Sequence, residues 1–457
     1  MTKKKKIFIY GILTCNRRKL DAWKLKEYFL KNNYKIVTNV KDADIILLST
    51  CAYSNKHAKT SLEMTKKFLD FNAELIVVGC LPDIEKEELA KIFNGKTLST
   101  KELKKIDKIF PENKIKFKDI KDANTPLENA NEYFFISNLK KAFEKTFFAN
   151  KIVDVFSKSI LKKILLDKSA NCHRSIINYG YFKYFKEKLQ PSLTIHKDSY
   201  FIRPSWGCLG TCSYCVIKKA IGPLKSKPLE TIIDEFKKGL NLGYSNFIFD
   251  ADDLGAYGVD LDSNFAEMLD KITDISGDYS VHLRYIHPTW IVKYCKNFEK
   301  ILKKGKIKSL GSAIQSGSPR ILRLMHRFSD VEKIKSSFSK IKNAYPKLLI
   351  ATECINGFPS ETEEDFKETI KVVNEISFDW GFVFPFSCRP GSLAEKIEPK
   401  VSNKEILERM KLAGEYFNKI GYNSSSFKNH DILVFSKTST DAKLDEGLKS
   451  FCFSTIE

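Results

Sequence analysis

Apolar residues in the first hundred positions come in short, unbroken runs. "KIFIYGIL", "ADIILLS" and "ELIVVG" are too short for helices and read as parallel strands buried on both faces. Between them, "RKLDAWKLKEYFLKN" and "SLEMTKKFLDF" repeat at helical spacing. This alternation predicts a small doubly wound α/β domain over residues 1–100. Over 101–195 the rhythm breaks: "TKELKKIDKIFPENKIKFKDIKDANTP" has no sheet pattern, and "ISNLKKAFEKTFF" and "SKSILKKILL" look helical. The stretch reads as a lysine-rich helical insert or linker.

From 196 to 400 the alternation returns. Six strand candidates follow one another: "SYFIRPS", "NFIFDA", "VHLRYIH", "SLGSAIQ", "LLIATECI" and "WGFVFPFS". Helical segments such as "PLETIIDEFKKGLNLG" and "EEDFKETIKVVNEI" separate most of them. Repeated units of this kind predict an α/β barrel or partial barrel, with its chemistry at the C-terminal ends of the strands. A helix, "NKEILERMKLAGEYFNKIG", and a short tail fill 401–457, and no internal repeat is visible.

A chain of 457 residues with 43% hydrophobic and 12% aromatic content can build real cores, which excludes a disordered chain. The net charge of +21 points toward polyanionic partners such as RNA. The excess is mostly scattered lysine, which is also what a compositional bias would give. The opening "MTKKKKIFIYGILTC" imitates a secretion signal but lacks a small-residue cleavage site, so it reads as a first strand. No apolar run is long enough to cross a bilayer. The expectation is a cytoplasmic protein without a membrane partner.

Eleven cysteines in so large a chain argue for metal ligation in a reducing compartment rather than a disulfide scaffold. Cys208, Cys212 and Cys215 form a CxxxCxxC array in "WGCLGTCSYCVI", just past the first strand of the second unit. Three thiolates this close can each take a different iron of one cubane and leave the fourth iron open. The alternative is a zinc site completed by Cys172 or His173 in "NCHRS", which would make the chain a non-catalytic, zinc-stabilised RNA-binding protein. In the first unit Cys15, Cys51 and Cys80 each end a strand candidate, so a parallel sheet would gather them along its carboxyl edge. Three such thiolates could hold a second cluster.

The cysteine loop resembles the radical S-adenosylmethionine (SAM) superfamily, whose CxxxCxxC loop follows the first strand of a partial (β/α)6 barrel. "DDLGAYGVD" (252–260), "IQSGSPRILRLMHR" (314–327), "INGFPSETEEDF" (355–366) and "FSCRPGSLA" (386–394) are similar in order and spacing to the methylthiotransferase family, which modifies tRNA adenosines or a ribosomal-protein aspartate. The resemblance implies two [4Fe–4S] clusters, a radical SAM cluster on Cys208, Cys212 and Cys215 and an auxiliary one on Cys15, Cys51 and Cys80. It also implies SAM as cofactor and cosubstrate, and an electron donor such as flavodoxin or ferredoxin. The implied reaction inserts sulfur at an unactivated C–H bond and methylates it, on a tRNA adenosine or, alternatively, on a protein or peptide. The family commonly ends in a small RNA-binding β-barrel; the tail here is short, so a diverged member without that barrel is expected. Arg18 stands where the family commonly has Asn, and Ile221 where it has Arg.

Candidates for holding SAM lie at strand ends: Asp252 or Asp253 for ribose hydroxyls or the amino group, and Gln315 and Ser316 for the head group or ribose. Gly317 permits close backbone approach, Gly357 in "GFP" would bring backbone past the adenine, and Tyr214 resembles the aromatic that flanks it. Arg389 reads by default as a surface arginine and otherwise as the partner of a carboxylate or phosphate, His287 as a core histidine, and Cys295, Cys354, Cys388 and Cys452 as ordinary buried thiols. No catalytic residue is assigned.

Overall fold

A computed structural model of the chain describes residues 4–12, 15–127, 199–427 and 432–437. The segments "ISNLKKAFEKTFF" and "SKSILKKILL", and Cys172, His173 and Cys452, lie outside the described residues.

Five parallel strands form the first sheet: β1 (Lys6–Gly11), β2 (Lys35–Val37), β3 (Ile45–Thr50), β4 (Glu74–Gly79) and β5 (Lys96–Ser99), in the order β2-β1-β3-β4-β5. β3 is buried along its whole length, as its unbroken apolar run requires. Helices α1 (Asn16–Lys31) and α2 (Asn55–Phe68) return the chain between strands. Sequence analysis missed β2 and β5, which are short and half-exposed. It also read residues from 101 as insert, yet Leu103, Ile106, Phe110, Phe117 and Ile120 are buried with Ile7, Phe29 and Ile76 in the core of this sheet. Lysines interleaved with these apolar positions masked the pattern.

The second sheet has β6 (Ser199–Ile202) at one edge and a two-stranded clip, β7 (Ser205–Trp206) with β8 (Lys225–Ser226), beside it. It continues through β9 (Asn246–Asp250), β10 (Ser280–Arg284), β11 (Ile307–Gly311), β12 (Leu349–Asn356) and β13 (Trp380–Pro385), all parallel and neighbouring in chain order. Helices between successive strands make this a (β/α)6 sheet whose first and last parallel strands are not paired with each other, hence a partial barrel. The tail adds what the sequence reading lacked. β14 (Tyr422–Phe427) and β15 (Ile432–Lys437) form a hairpin that pairs antiparallel with β13, extending the sheet to eight strands. The run "YNSSSF" is too polar to announce itself as a strand.

Candidate functional site

Cys15, Cys51 and Cys80 follow β1, β3 and β4, three adjacent strands that end level, with Gly11 opposite Ser49 and Thr50 opposite Gly79. In this strand order the chain reverses direction between β1 and β3, where open α/β sheets bind ligands. Cys15 occupies the N-cap of the 16-residue α1, and its side chain makes no capping hydrogen bond. The Cys51 amide donates to the Ser61 hydroxyl at 3.2 Å, which donates back to the Cys51 carbonyl at 2.8 Å. The Cys80 amide donates to the Thr50 carbonyl at 3.2 Å. Burial raises the Cys51 thiol well above its ordinary range, with Cys80 and Cys15 adding to it, and burial lifts Cys80 to about 11. Asn16, fully buried beside them, has neither amide atom hydrogen-bonded.

Cys208, Cys212 and Cys215 lie in the loop between β7 and β8. Gly207 opens it at φ +77°, donating its N–H to Asp252 Oδ2 at 3.1 Å; a Cβ there would fall 2.0 Å from the Pro223 carbonyl oxygen. A Cβ on Gly210 would meet Cys208 Sγ at 3.2 Å and Cys212 Sγ at 3.7 Å, so only glycine leaves the space between these sulfurs open. Ser213 anchors the loop, its N–H on the Met325 carbonyl at 3.0 Å and its hydroxyl on the Leu324 carbonyl at 2.7 Å. Burial pushes the Cys208 thiol up to about 12. The zinc alternative turns on Cys172 or His173, which lie outside the described residues.

Arg17, two residues after Cys15, joins the two sheets. Its Nη1 lies 2.7 Å from Asp250 Oδ1, its Nε lies 3.1 Å from Asp252 Oδ1, and its guanidinium covers the Tyr285 ring at 4.6 Å. Arg203 reaches the other way, to Asp21 at 2.7 Å. Arg389, whose default reading is a surface residue, is 2% exposed and pairs with the Glu85 carboxylate, the alternative reading, and with Asn55. The sequence reading had no local cue for a partner some 300 positions away. The Asn55 backbone and side chain bond to Ser387 Oγ at 3.2 Å and the Cys388 carbonyl at 2.9 Å. The carboxyl edges of both sheets therefore face one another.

Residues 6–99 match Uncharacterized protein family UPF0004, and residues 202–373 match the radical SAM superfamily. A probable threonylcarbamoyladenosine tRNA methylthiotransferase from Pyrococcus horikoshii is 27% identical, over 86% of this chain and 79% of that one. The ribosomal protein uS12 methylthiotransferase of a Thermotoga species is 27% identical, over 89% of this chain and 83% of its own. A Fusobacterium nucleatum tRNA-2-methylthio-N(6)-dimethylallyladenosine synthase is 27% identical, over 94% of this chain and 88% of its own. The chain belongs to the radical SAM methylthiotransferase family. It is a transferase whose cofactors are SAM and two [4Fe–4S] clusters. A radical SAM methyltransferase structure from Kitasatospora setae, with cobalamin and a [4Fe-4S] cluster bound, shares the fold at a TM-score of 0.54 and 11% identity, over 94% of this chain and 82% of that one.

The residues present fit the methylthiotransferase cofactors. Two three-thiol sets, the Gly210 cradle between two sulfurs and the unbonded Asn16 amide leave donors and space facing where clusters would sit. Of the SAM candidates, Gln315 keeps a buried, unbonded Oε1 and a left-handed backbone at φ +68°. Tyr214 sits on the cluster loop, its hydroxyl accepting from Arg327 at 3.3 Å and its ring edge-on to Phe358.

The other SAM candidates are already engaged. Asp252 accepts from Gly207 and pairs with Arg17; Asp253 accepts from Trp290 Nε1 at 2.9 Å and from the His287 amide at 3.4 Å. The Ser316 hydroxyl bonds Thr369 at 3.2 Å, and Gly317 packs on the backbone of Glu368 and Thr369. At Gly357, φ +83°, the close neighbour is the Ile406 side chain. His287 caps the helix Pro288–Lys293, its Nδ1 accepting from the Thr289 amide, and burial holds it neutral. Cys295 and Cys354 are buried thiols, while Cys388 is half-exposed. Sequence reasoning missed Arg17, Tyr53, Tyr285, Arg327 and Glu353. Glu353 left a trace, as a carboxylate inside the apolar run "LLIATECI", and Arg327 closes the motif "IQSGSPRILRLMHR".

Proposed function

We propose that this methylthiotransferase inserts and methylates sulfur on a tRNA adenosine, with Cys208, Cys212 and Cys215 holding the radical SAM cluster and Cys15, Cys51 and Cys80 the auxiliary one. With its cofactors bound, SAM cleavage supplies the hydrogen-abstracting radical and the auxiliary cluster the sulfur. The protein's own part is to hold the two thiol sets on facing sheet edges and to position the substrate carbon between them. Gln315 and Tyr214 would bind SAM. The observation that supports this reading best is the joining of those edges by Arg17, Arg203 and Asn55. Two of the three relatives described are named for modified adenosines of tRNA, one of them an N(6)-dimethylallyladenosine, and a net charge of +21 suits a polyanion.

We place the protein in the cytoplasm, served by a flavodoxin- or ferredoxin-type donor; no helix among the described residues is long and apolar enough to cross a membrane. The deciding experiment is anaerobic reconstitution followed by nucleoside mass spectrometry of tRNA from a deletion strain and its complemented parent. Methylthio-adenosine present only when the gene is present supports the proposal. Unchanged nucleosides, with methylthio label on a protein instead, would move the substrate to the peptide class.

A further inference from the structure

Asp252 is held by both cysteine loops at once. Its Oδ2 accepts from the Gly207 amide at 3.1 Å, and Gly207 directly precedes Cys208. Its Oδ1 lies 3.1 Å from Arg17 Nε, and Arg17 stands two residues after Cys15. The carboxylate side chain is 6% exposed, so solvent does little to screen either contact.

Arg17 is the rigid half of this bridge. Its Nη1 donates to Asp250 Oδ1 at 2.7 Å and to the Ala251 carbonyl at 3.3 Å, so residues 250, 251 and 252 all grip one guanidinium. The Tyr285 ring covers it at 4.6 Å. The Arg17 carbonyl in turn accepts from Arg203 Nη2, one residue past β6. The first turn of α1 is thereby pinned, by side chain and main chain, to the ends of β6 and β9. A planar guanidinium that spends Nε and Nη1 on two carboxylates has one orientation, where a lysine ammonium would have many.

We propose that Asp252 is a positioning residue rather than a SAM ligand: bridged to Arg17, it sets the spacing between the Cys15 loop and the Cys208 loop, and with it the gap in which the substrate carbon sits. The inference rests on the cysteine assignments proposed above and names the residue that holds their geometry. A ribose hydroxyl could displace neither contact without leaving a buried amide or part of a guanidinium unpaired. Spacing matters because a misplacement of about 1 Å can cost about a hundredfold in rate.

The test compares the reconstituted full chain as wild type, Arg17→Lys, Asp252→Asn and the double variant. Read on each are iron content, hydrogen exchange at the Gly207 amide, the SAM KM, and methylthio-adenosine formed per 5′-deoxyadenosine released on tRNA from the deletion strain. Expected are wild-type iron and SAM KM, Gly207 exchange about tenfold faster in both single variants, and product per 5′-deoxyadenosine lowered about tenfold or more. The double variant should be no worse than either single one, since all three break one link. Arg17→Lys keeps the charge and reaches Gly207 only through Asp252, so its exchange rate reads the bridge itself. Gly207 exchange and product ratio at wild-type values in Arg17→Lys would overturn the proposal. A raised SAM KM with the ratio intact in Asp252→Asn would return Asp252 to SAM binding. Full iron in Cys51→Ala would instead remove the cysteine assignments, and the inference with them. If wild type makes no methylthio-adenosine, the tRNA reading falls, and Gly207 exchange still decides the bridge.

Discussion

Arg327 points its Nη1 at the Cys212 sulfur, 3.6 Å away, and shares that nitrogen with the Tyr214 hydroxyl at 3.3 Å. The guanidinium is half-buried and, among the described residues, pairs with no carboxylate within 4 Å. Its partner is thus the Cys212 side of the loop that, under the proposed function, holds the radical SAM cluster. A cation and an N–H donor at a ligating sulfur stabilise the more negative, reduced cluster. Arg327→Gln should therefore shift that cluster's potential to more negative values by tens of millivolts while retaining its iron, and Arg327→Lys should lie between. Spectroelectrochemical titration followed by electron paramagnetic resonance reads this directly. An unmoved potential would reduce Arg327 to a clamp on the loop.

The two thiol sets stand on different sheets, so their losses should separate. Cys212→Ala should lower iron from about eight to about four per chain and abolish 5′-deoxyadenosine release. Cys51→Ala should lose a similar amount of iron yet keep release, while forming no methylthio product. Release lost in both variants would contradict separate roles for the two sets.

Much of this arrangement is legible in the sequence, and the reason is local. Strands buried on both faces, such as β3 and β4, must be continuous apolar runs, and a cysteine at the end of each run is placed once the strands are parallel. What could not be read depends on partners far away in the chain. Arg17 meets Asp250 across 233 positions, and Arg327 meets Cys212 across 115. Neither contact has a periodicity. The hairpin β14–β15 escaped for another reason: an added edge pair gains its hydrogen bonds from β13 and can keep a polar face.

Glu361 makes stability depend on pH. It is 3% exposed, accepts from the Gly357 amide, and lies 3.3 Å from Arg409 Nη1, but its Oε1 has no partner. Burial outweighs these contacts and lifts its pKa from 4.5 to about 7. The folded state then keeps a proton that the unfolded chain has released. Stability is complete below the unfolded value and is lost as pH rises through about 7, by on the order of 3 kcal/mol. Asp253, raised to about 6 by burial, acts in the same direction. The Tm of the reconstituted protein should fall between about pH 5 and pH 8, and Glu361→Gln should flatten part of that slope. A wild-type Tm that rises over this window would overturn the assignment.

Gly79 ends β4 directly before Cys80, at φ +111°. A Cβ there would lie 2.4 Å from the Thr50 carbonyl oxygen and 3.0 Å from the Thr50 nitrogen. Both atoms are backbone, and Thr50 directly precedes Cys51, so no side-chain rotation can relieve the clash. Gly79→Ala must push apart the two strands that present Cys51 and Cys80. The expected result is loss of about four irons per chain, the auxiliary share, with the radical cluster and 5′-deoxyadenosine release retained. Gly305 supplies the control, since it also has positive φ, +71°, but nothing lies within 4 Å of its missing Cβ. Gly305→Ala should cost only about 1 kcal/mol of backbone strain and no iron. Full iron in Gly79→Ala would mean that the spacing of β3 and β4 does not set the spacing of the thiols, and the auxiliary site would have to lie elsewhere.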